Sequence, residues 1–125
     1  MFVNKQQRAE ACFLLLRLAS ENFAMTMWHD PRISNGSMIG GPAPAGIAKL
    51  KNALEGDGHT LSHGEKLLLQ VTFDVWNGSG HAHLHEVLEQ LMPHQIGAIG
   101  TLCDAIARGQ VQQWIERLTH DLDAQ

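Results

Sequence analysis

Apolar residues recur at helical spacing along most of the chain, and the first such segment is apolar almost all round. Asn4 is a suitable N-cap for this helix, Pro31 is a suitable stop, and the pattern predicts a helix that runs to about residue 28. Its centre, residues 11–19, reads ACFLLLRLA. Such a helix is typically surrounded by protein on several sides. The pattern therefore predicts a buried N-terminal helix.

Five further segments with helical apolar spacing follow. Ser62 and Glu65 form a capping-box pattern before the second of these segments, while Pro93 is suited to the first turn of the fourth and Gly109 to its end. The predicted helices cover residues 44–55, 62–76, 81–92, 93–109 and 110–121.

Together these elements predict an all-α fold, an irregular bundle of about five to six helices around the buried N-terminal helix. The sequence has no internal repeat and no convincing strand alternation. Its length suits one core, so we expect residues 1–125 to form a single helical domain.

Two pairs of residues inside the predicted helices suggest how the helices pack. Gly97 and Gly100 weaken a helix, and we expect them to allow close approach of a neighbouring backbone.

Cys12 and Cys103 both lie among apolar residues, so we expect two buried thiols.

A long Gly- and Pro-rich loop, at about residues 30–46, separates the first helix from the rest. Connections of this length are commonly functional or mobile. Met38 and Ile39 at its centre could form an exposed anchor for a partner protein, or they could pin the loop to the core. The sequence leaves both interpretations open.

The charge pattern bears on partners and location. The net charge is −4 and the basic residues are scattered, so a nucleic-acid partner, which needs a basic stripe, is not expected. The chain has neither a signal-peptide pattern nor an apolar run long enough to cross a membrane. We therefore expect a cytoplasmic protein without membrane association.

The segment HAHLH, residues 81–85, is the strongest candidate for metal chemistry. On a helix, only His81 and His85 share a flank, and an i, i+4 histidine pair is a known zinc arrangement. Zinc or another transition metal would need a further ligand, for which His63 and His94 are candidates. The alternatives are that these are ordinary histidines at the start of a helix, without a ligand, or that they act as acid–base groups in catalysis.

Sharper catalytic motifs are absent from the sequence. Residues 85–89 read HEVLE and lack the second histidine of HExxH, and there is no P-loop, GxGxxG, GxSxG or CxxC. No catalytic residue or organic cofactor is therefore predicted.

The leading functional hypothesis is a non-catalytic protein–protein interaction module that self-associates as a homodimer. It rests on the missing catalytic motifs, the long loop and apolar stripes that are broad for so short a chain. The alternative is a metal-binding protein or small metalloenzyme that uses the histidines of residues 59–94. A helix-turn-helix regulator is a third hypothesis, but no segment supplies a basic recognition helix.

Overall fold

The computed structural model describes residues 4–33, 40–55 and 61–125, and within these ranges the chain is helical without a named strand. The predicted all-α class is confirmed. The α-helices are α1 (Lys5–Arg17), α2 (Glu21–Met27), α3 (Pro44–Leu54), α4 (His63–Asn77), α5 (Leu84–Gln90), α6 (Pro93–Arg108) and α7 (Val111–Asp123). One turn of 3-10 helix covers Pro31–Ile33.

Helix α1 lies at the centre of the bundle, as its sequence predicts, and packs against α2, α4, α6 and α7. It separates two groups of buried side chains. Leu14 and Leu15 contribute to the group shared with α4, α6 and α7, whereas Phe13 and Leu16 contribute to the group shared with α2, α3 and α4. Because α1 supplies side chains to both groups, it needs apolar residues on nearly every side.

The prediction of one continuous first helix to residue 28 is wrong, because the structure divides this region into α1 and α2. Ser20 has an extended backbone and its side chain accepts a hydrogen bond from the backbone N–H of Phe23, at 3.0 Å. That is an N-cap, which satisfies an unpaired donor of a new helix. The sequence signal was present as Ser20 followed by Glu21 and Asn22, three polar residues that interrupt the apolar pattern.

The two ends of the predicted 30–46 loop are held against the end of α2. The backbone N–H of His29 donates to the carbonyl of Gly41 at 2.7 Å, and Trp28 forms an isolated antiparallel bridge with Pro42. A side chain at Gly46 would lie 2.5 Å from the carbonyl oxygen of Met27, so only glycine permits this approach. Met38 and Ile39 lie outside the described residues, and their two interpretations stay open.

The later helix boundaries follow local signals. Ser62 and Glu65 form the predicted capping box, Pro93 is the first residue of α6, and Gly109 ends α6 with φ of 68°. A left-handed backbone of this kind suits glycine because it has no Cβ.

Gly97 and Gly100 were expected to allow close approach of a neighbouring backbone, but no backbone of the described residues approaches them. A Cβ built at either glycine has no heavy atom of residues 4–33, 40–55 or 61–125 within 4 Å, apart from neighbours along its own helix. The two glycines thus lie on open helix surface.

No helix in the same ranges is long and apolar enough to cross a membrane.

Candidate functional site

The histidine segment lies at the corner between α4 and α5, and a carboxylate of α4 shapes it. Asp74 accepts hydrogen bonds from the backbone N–H groups of Gly80, His81 and Ala82, each at 2.9 Å. His81 has φ of 55°, in the left-handed region. Because Asp74 already satisfies these donors, the corner is stable without being helical.

The prediction that a helix begins at His81 is therefore wrong. Helix α5 begins at Leu84, with His83 as its N-cap residue and without a side-chain capping bond. His81 and His85 do not occupy one helix turn, so the i, i+4 argument for a shared metal no longer applies to them.

The other histidines of this region have separate surroundings. His63 begins α4, and its Nε2 lies 3.7 Å from a carboxylate oxygen of Glu86. His85 is largely exposed and lies 3.3 Å from Glu89 on the same helix. The Nε2 of His94 lies 3.3 Å from the carbonyl oxygen of Leu18, to which it donates when it carries the ring proton.

Within residues 4–33, 40–55 and 61–125, no three His, Cys, Asp or Glu side chains form a group that could hold a metal ion. The zinc site at His81 and His85, with His63 or His94, stays a prediction that these residues do not support. Metal analysis of protein purified without a His tag tests it.

The same corner presents an apolar surface. Leu84 and Leu88 of α5 and Met92, which follows it, are 70%, 56% and 60% exposed. Leu84 and Leu88 lie four residues apart and so point to one side of α5, while Met92 follows in extended backbone just after the helix. We call these three residues the α5 face. Val87 and Leu91 fix α5 on the bundle from its other side and are buried.

The sequence shows one helical register for Leu84, Val87, Leu88 and Leu91, but it does not show which of them form the α5 face. The structure buries Val87 and Leu91 and exposes the other two. The available signal was the spread of the apolar residues, because Leu84, Val87, Leu88 and Leu91 occupy a broader side than one neighbouring helix covers.

A second surface lies beside the first, where α6 and α7 form a groove of about 540 Å³. Its floor contains Ala98, Ala105, Trp114 and Leu118. Trp114 is fixed in place because its indole N–H donates to the hydroxyl of Thr101 at 3.0 Å. An apolar floor between two helices is a common site for a docked helix.

The rim of the groove is charged. Arg117 and Asp121 lie on the α7 side, while Asp104 lies on the α6 side and is bound by Arg108 at 3.0 Å. Arg117 and Asp121 form no ion pair within the described part of the chain. Both charges are exposed and available to a partner.

A charged cluster at the C-terminal end of α1 has a structural role. The Arg17 side chain is only 7% exposed and donates to Glu21 of α2 and, at 2.6 Å, to Asp123 of α7. The hydrogen bond from Arg17 lowers the pKa of Asp123 below its usual value. Since both acceptors are exposed carboxylates, Arg17 connects three helix ends at the surface.

The neighbouring Asp30 and Arg32 extend this cluster. Burial of Asp30 opposes ionisation, but hydrogen bonds from Arg32 and its positive charge outweigh that effect and lower the pKa of Asp30. The Arg32 guanidinium lies 2.8 Å from Asp30 and 3.3 Å from Glu21.

The two thiols differ, which corrects the expectation that both are buried. Cys12 is fully buried, donates to the carbonyl of Thr72 at 3.6 Å, and has a raised pKa because burial opposes the thiolate. Cys103 is exposed on α6. Leu102 and Ala105 close to it in the sequence are buried, but Cys103 occupies the outward side of the helix together with Asp104.

Comparison of the chain with protein-family models, with curated proteins and with solved structures found no match.

Proposed function

We propose that this protein is a non-catalytic, cytoplasmic protein-interaction module that self-associates as a homodimer through the α5 face. The observation that supports it most directly is the exposure of Leu84, Leu88 and Met92, three large apolar side chains within nine residues that are each more than half exposed. A contiguous apolar surface of this kind is typical of an interaction site, whereas a single exposed apolar residue is ordinary.

The free energy that burial of the α5 face contributes to dimerisation is modest. Burial of the remaining exposed surface of these three side chains contributes about 1 to 2 kcal/mol each. Association costs about 4 to 15 kcal/mol in lost translational and rotational freedom. The α5 face alone therefore supports a weak dimer, and a stable one needs additional contact area.

Sedimentation equilibrium and light scattering over a range of protein concentrations test the proposal. With the additional contact area included, we expect a dimer with a dissociation constant on the order of 1 to 10 μM. Leu88→Glu places a charge at the centre of the α5 face and is expected to give a monomer that retains its helical circular dichroism spectrum.

Ile47→Glu is the matched control, because Ile47 is also half exposed but lies on α3, away from the α5 face. We expect this variant to remain a dimer. A wild-type protein that stays monomeric well above 100 μM would contradict the proposal.

A further inference from the structure

We infer that the α6–α7 groove receives the α5 face of a second copy of this chain, so that two copies exchange these contacts reciprocally. The inference rests on the proposed self-association and adds the surface that accepts α5. A second copy is the occupant favoured by contact area, by the position of the two surfaces and by their charges.

The contact area that a stable dimer needs favours a second copy as the occupant of the groove. Helix α5 has seven residues and is therefore only about 10 Å long. Two such helices packed on each other cover far less than the roughly 800 Å² per partner of an ordinary stable interface. When each α5 face lies in the groove of the other copy, both surfaces of each copy are buried. The dimer then contains two equivalent contacts, and the buried area doubles.

The positions of the two surfaces permit this exchange. Met92 belongs to the α5 face and is also the N-cap residue of α6, while His94, two residues later, lines the groove. The α5 face and the groove therefore adjoin at the junction of α5 and α6. A two-fold axis near this junction brings each face onto the partner's groove and closes the assembly as a dimer.

The charges on the two surfaces are complementary in one orientation. On α5, His85 precedes Glu89 by four residues, and on the groove rim Arg117 precedes Asp121 by four residues. When α5 of one copy runs antiparallel to α7 of the other, Glu89 lies opposite Arg117 and His85 lies opposite Asp121. The parallel orientation would instead place Glu89 opposite Asp121, two acidic residues. It would also place His85 opposite Arg117, two positive charges when His85 is protonated.

Gly97 provides a clean test of the groove. It lines the groove, is exposed, and has open space where a Cβ would be, so a larger side chain can be placed in the groove without a clash at its Cβ. Gly100 is exposed on the same helix with equally open surroundings, but it does not line the groove. We expect Gly97→Leu to weaken dimerisation at least tenfold and Gly100→Leu to leave it within twofold.

A mixing experiment distinguishes the reciprocal dimer from packing of one α5 on another. Leu88→Glu chains keep an intact groove, and Gly97→Leu chains keep an intact α5 face. In the reciprocal arrangement, a mixture of the two regains one of the two contacts, and we expect heterodimers at concentrations where each variant alone is monomeric. Sedimentation velocity with one variant carrying a fluorescent label detects them.

The charge pairing is tested by exchange. Glu89→Arg and Arg117→Glu each place like charges opposite each other at two symmetry-related positions, and we expect each to weaken the dimer about tenfold. The double variant Glu89→Arg with Arg117→Glu restores opposite charges and is expected to recover most of the affinity.

The outcomes separate the two proposals. A monomeric wild type overturns both. A monomeric Leu88→Glu variant with an unaffected Gly97→Leu dimer leaves self-association in place and overturns the groove as its acceptor. Loss of the dimer in Gly100→Leu, or failure of the mixture to form heterodimers, also overturns the groove assignment.

Discussion

At the scale of single residues, Asp74 and Gly80 determine the path of the chain between α4 and α5. Asp74 holds three consecutive backbone N–H groups with one carboxylate. Gly80 lies so close to α4 that a Cβ would be 1.7 Å from the carbonyl oxygen of Gln70. The position of the α5 face depends on both residues, because α5 begins four residues after Gly80.

Gly80→Ala is expected to destabilise the protein. The clash is with backbone atoms of α4, so relief requires movement of the corner, and we expect a loss of about 1 to 3 kcal/mol in the free energy of unfolding. Urea denaturation measures it. Gly64→Ala is the control, because Gly64 also lies in α4 but has open surroundings; there, unchanged or slightly raised stability is expected.

The two cysteines predict a simple reactivity pattern. Cys103 is exposed, whereas Cys12 is fully buried with a raised thiol pKa. Because the thiolate is the reactive species, we expect Ellman's reagent to modify one thiol in the native protein and two in denaturant. Cys103→Ser should abolish the native reaction. Rapid modification of two thiols without denaturant would contradict the observed burial of Cys12.

At the scale of elements, the bundle is joined at one end by ion pairs between helix termini. Arg17 connects the end of α1 to α2 and α7, and Arg32 connects the 3-10 helix to α2. Exposed pairs of this kind contribute little individually, but Arg17 is itself buried and its two partners are on different helices. The cluster thus resists separation of α7 from α1.

This cluster predicts a loss of stability in acid. The pKa values of Asp30 and Asp123 are lowered in the folded protein, so the unfolded chain takes up protons first as the pH falls. The stability they contribute is present above pH 4 or so, the usual carboxyl range, and is lost as the pH falls through the lower folded values.

Asp30→Asn tests the acid effect. We expect the variant to be about 1 kcal/mol less stable at pH 7 and to lose less stability than the wild type between about pH 5 and 2. Urea denaturation at a series of pH values measures both. Asp104→Asn, which removes an exposed pair with Arg108, is the control and is expected to change little. Parallel pH profiles of wild type and Asp30→Asn would argue against the role of Asp30.

At the scale of the whole molecule, α1 occupies the centre and α5 the margin. Helix α1 is shared by both groups of buried side chains, whereas α5 packs mainly on α4 and exposes its other side. Apolar surface that is unfavourable in a monomer becomes favourable in an assembly. The margin of the bundle is therefore where self-association should add stability.

Dimerisation predicts a thermal midpoint that depends on concentration. Each tenfold increase in protein concentration adds about 1.4 kcal/mol to the stability of a dimer that unfolds to monomers. We expect differential scanning calorimetry to show a rise of a few degrees for the wild type over a hundredfold range. The Leu88→Glu variant should show none, and an equal rise in both proteins would contradict the role of the α5 face.

The sequence by itself determined the helical class, the buried N-terminal helix and most helix boundaries after residue 62. Ser62, Pro93 and Gly109 act through the nearest backbone groups, so their effects can be read without knowledge of the fold. Ser20, the N-cap of α2, is the same kind of local signal for the division between α1 and α2. It is harder to recognise because apolar residues continue on both sides of it.

Only the tertiary structure decided which apolar residues form a surface. Leu84 and Leu88 resemble Val87 and Leu91 in the sequence, and the packing of α5 on its neighbours buries one pair and exposes the other. The histidine corner was equally hidden, because its controlling residue, Asp74, lies on the preceding helix. A local pattern shows that a helix has an apolar side, but the shape of its neighbours determines how much of that side they cover.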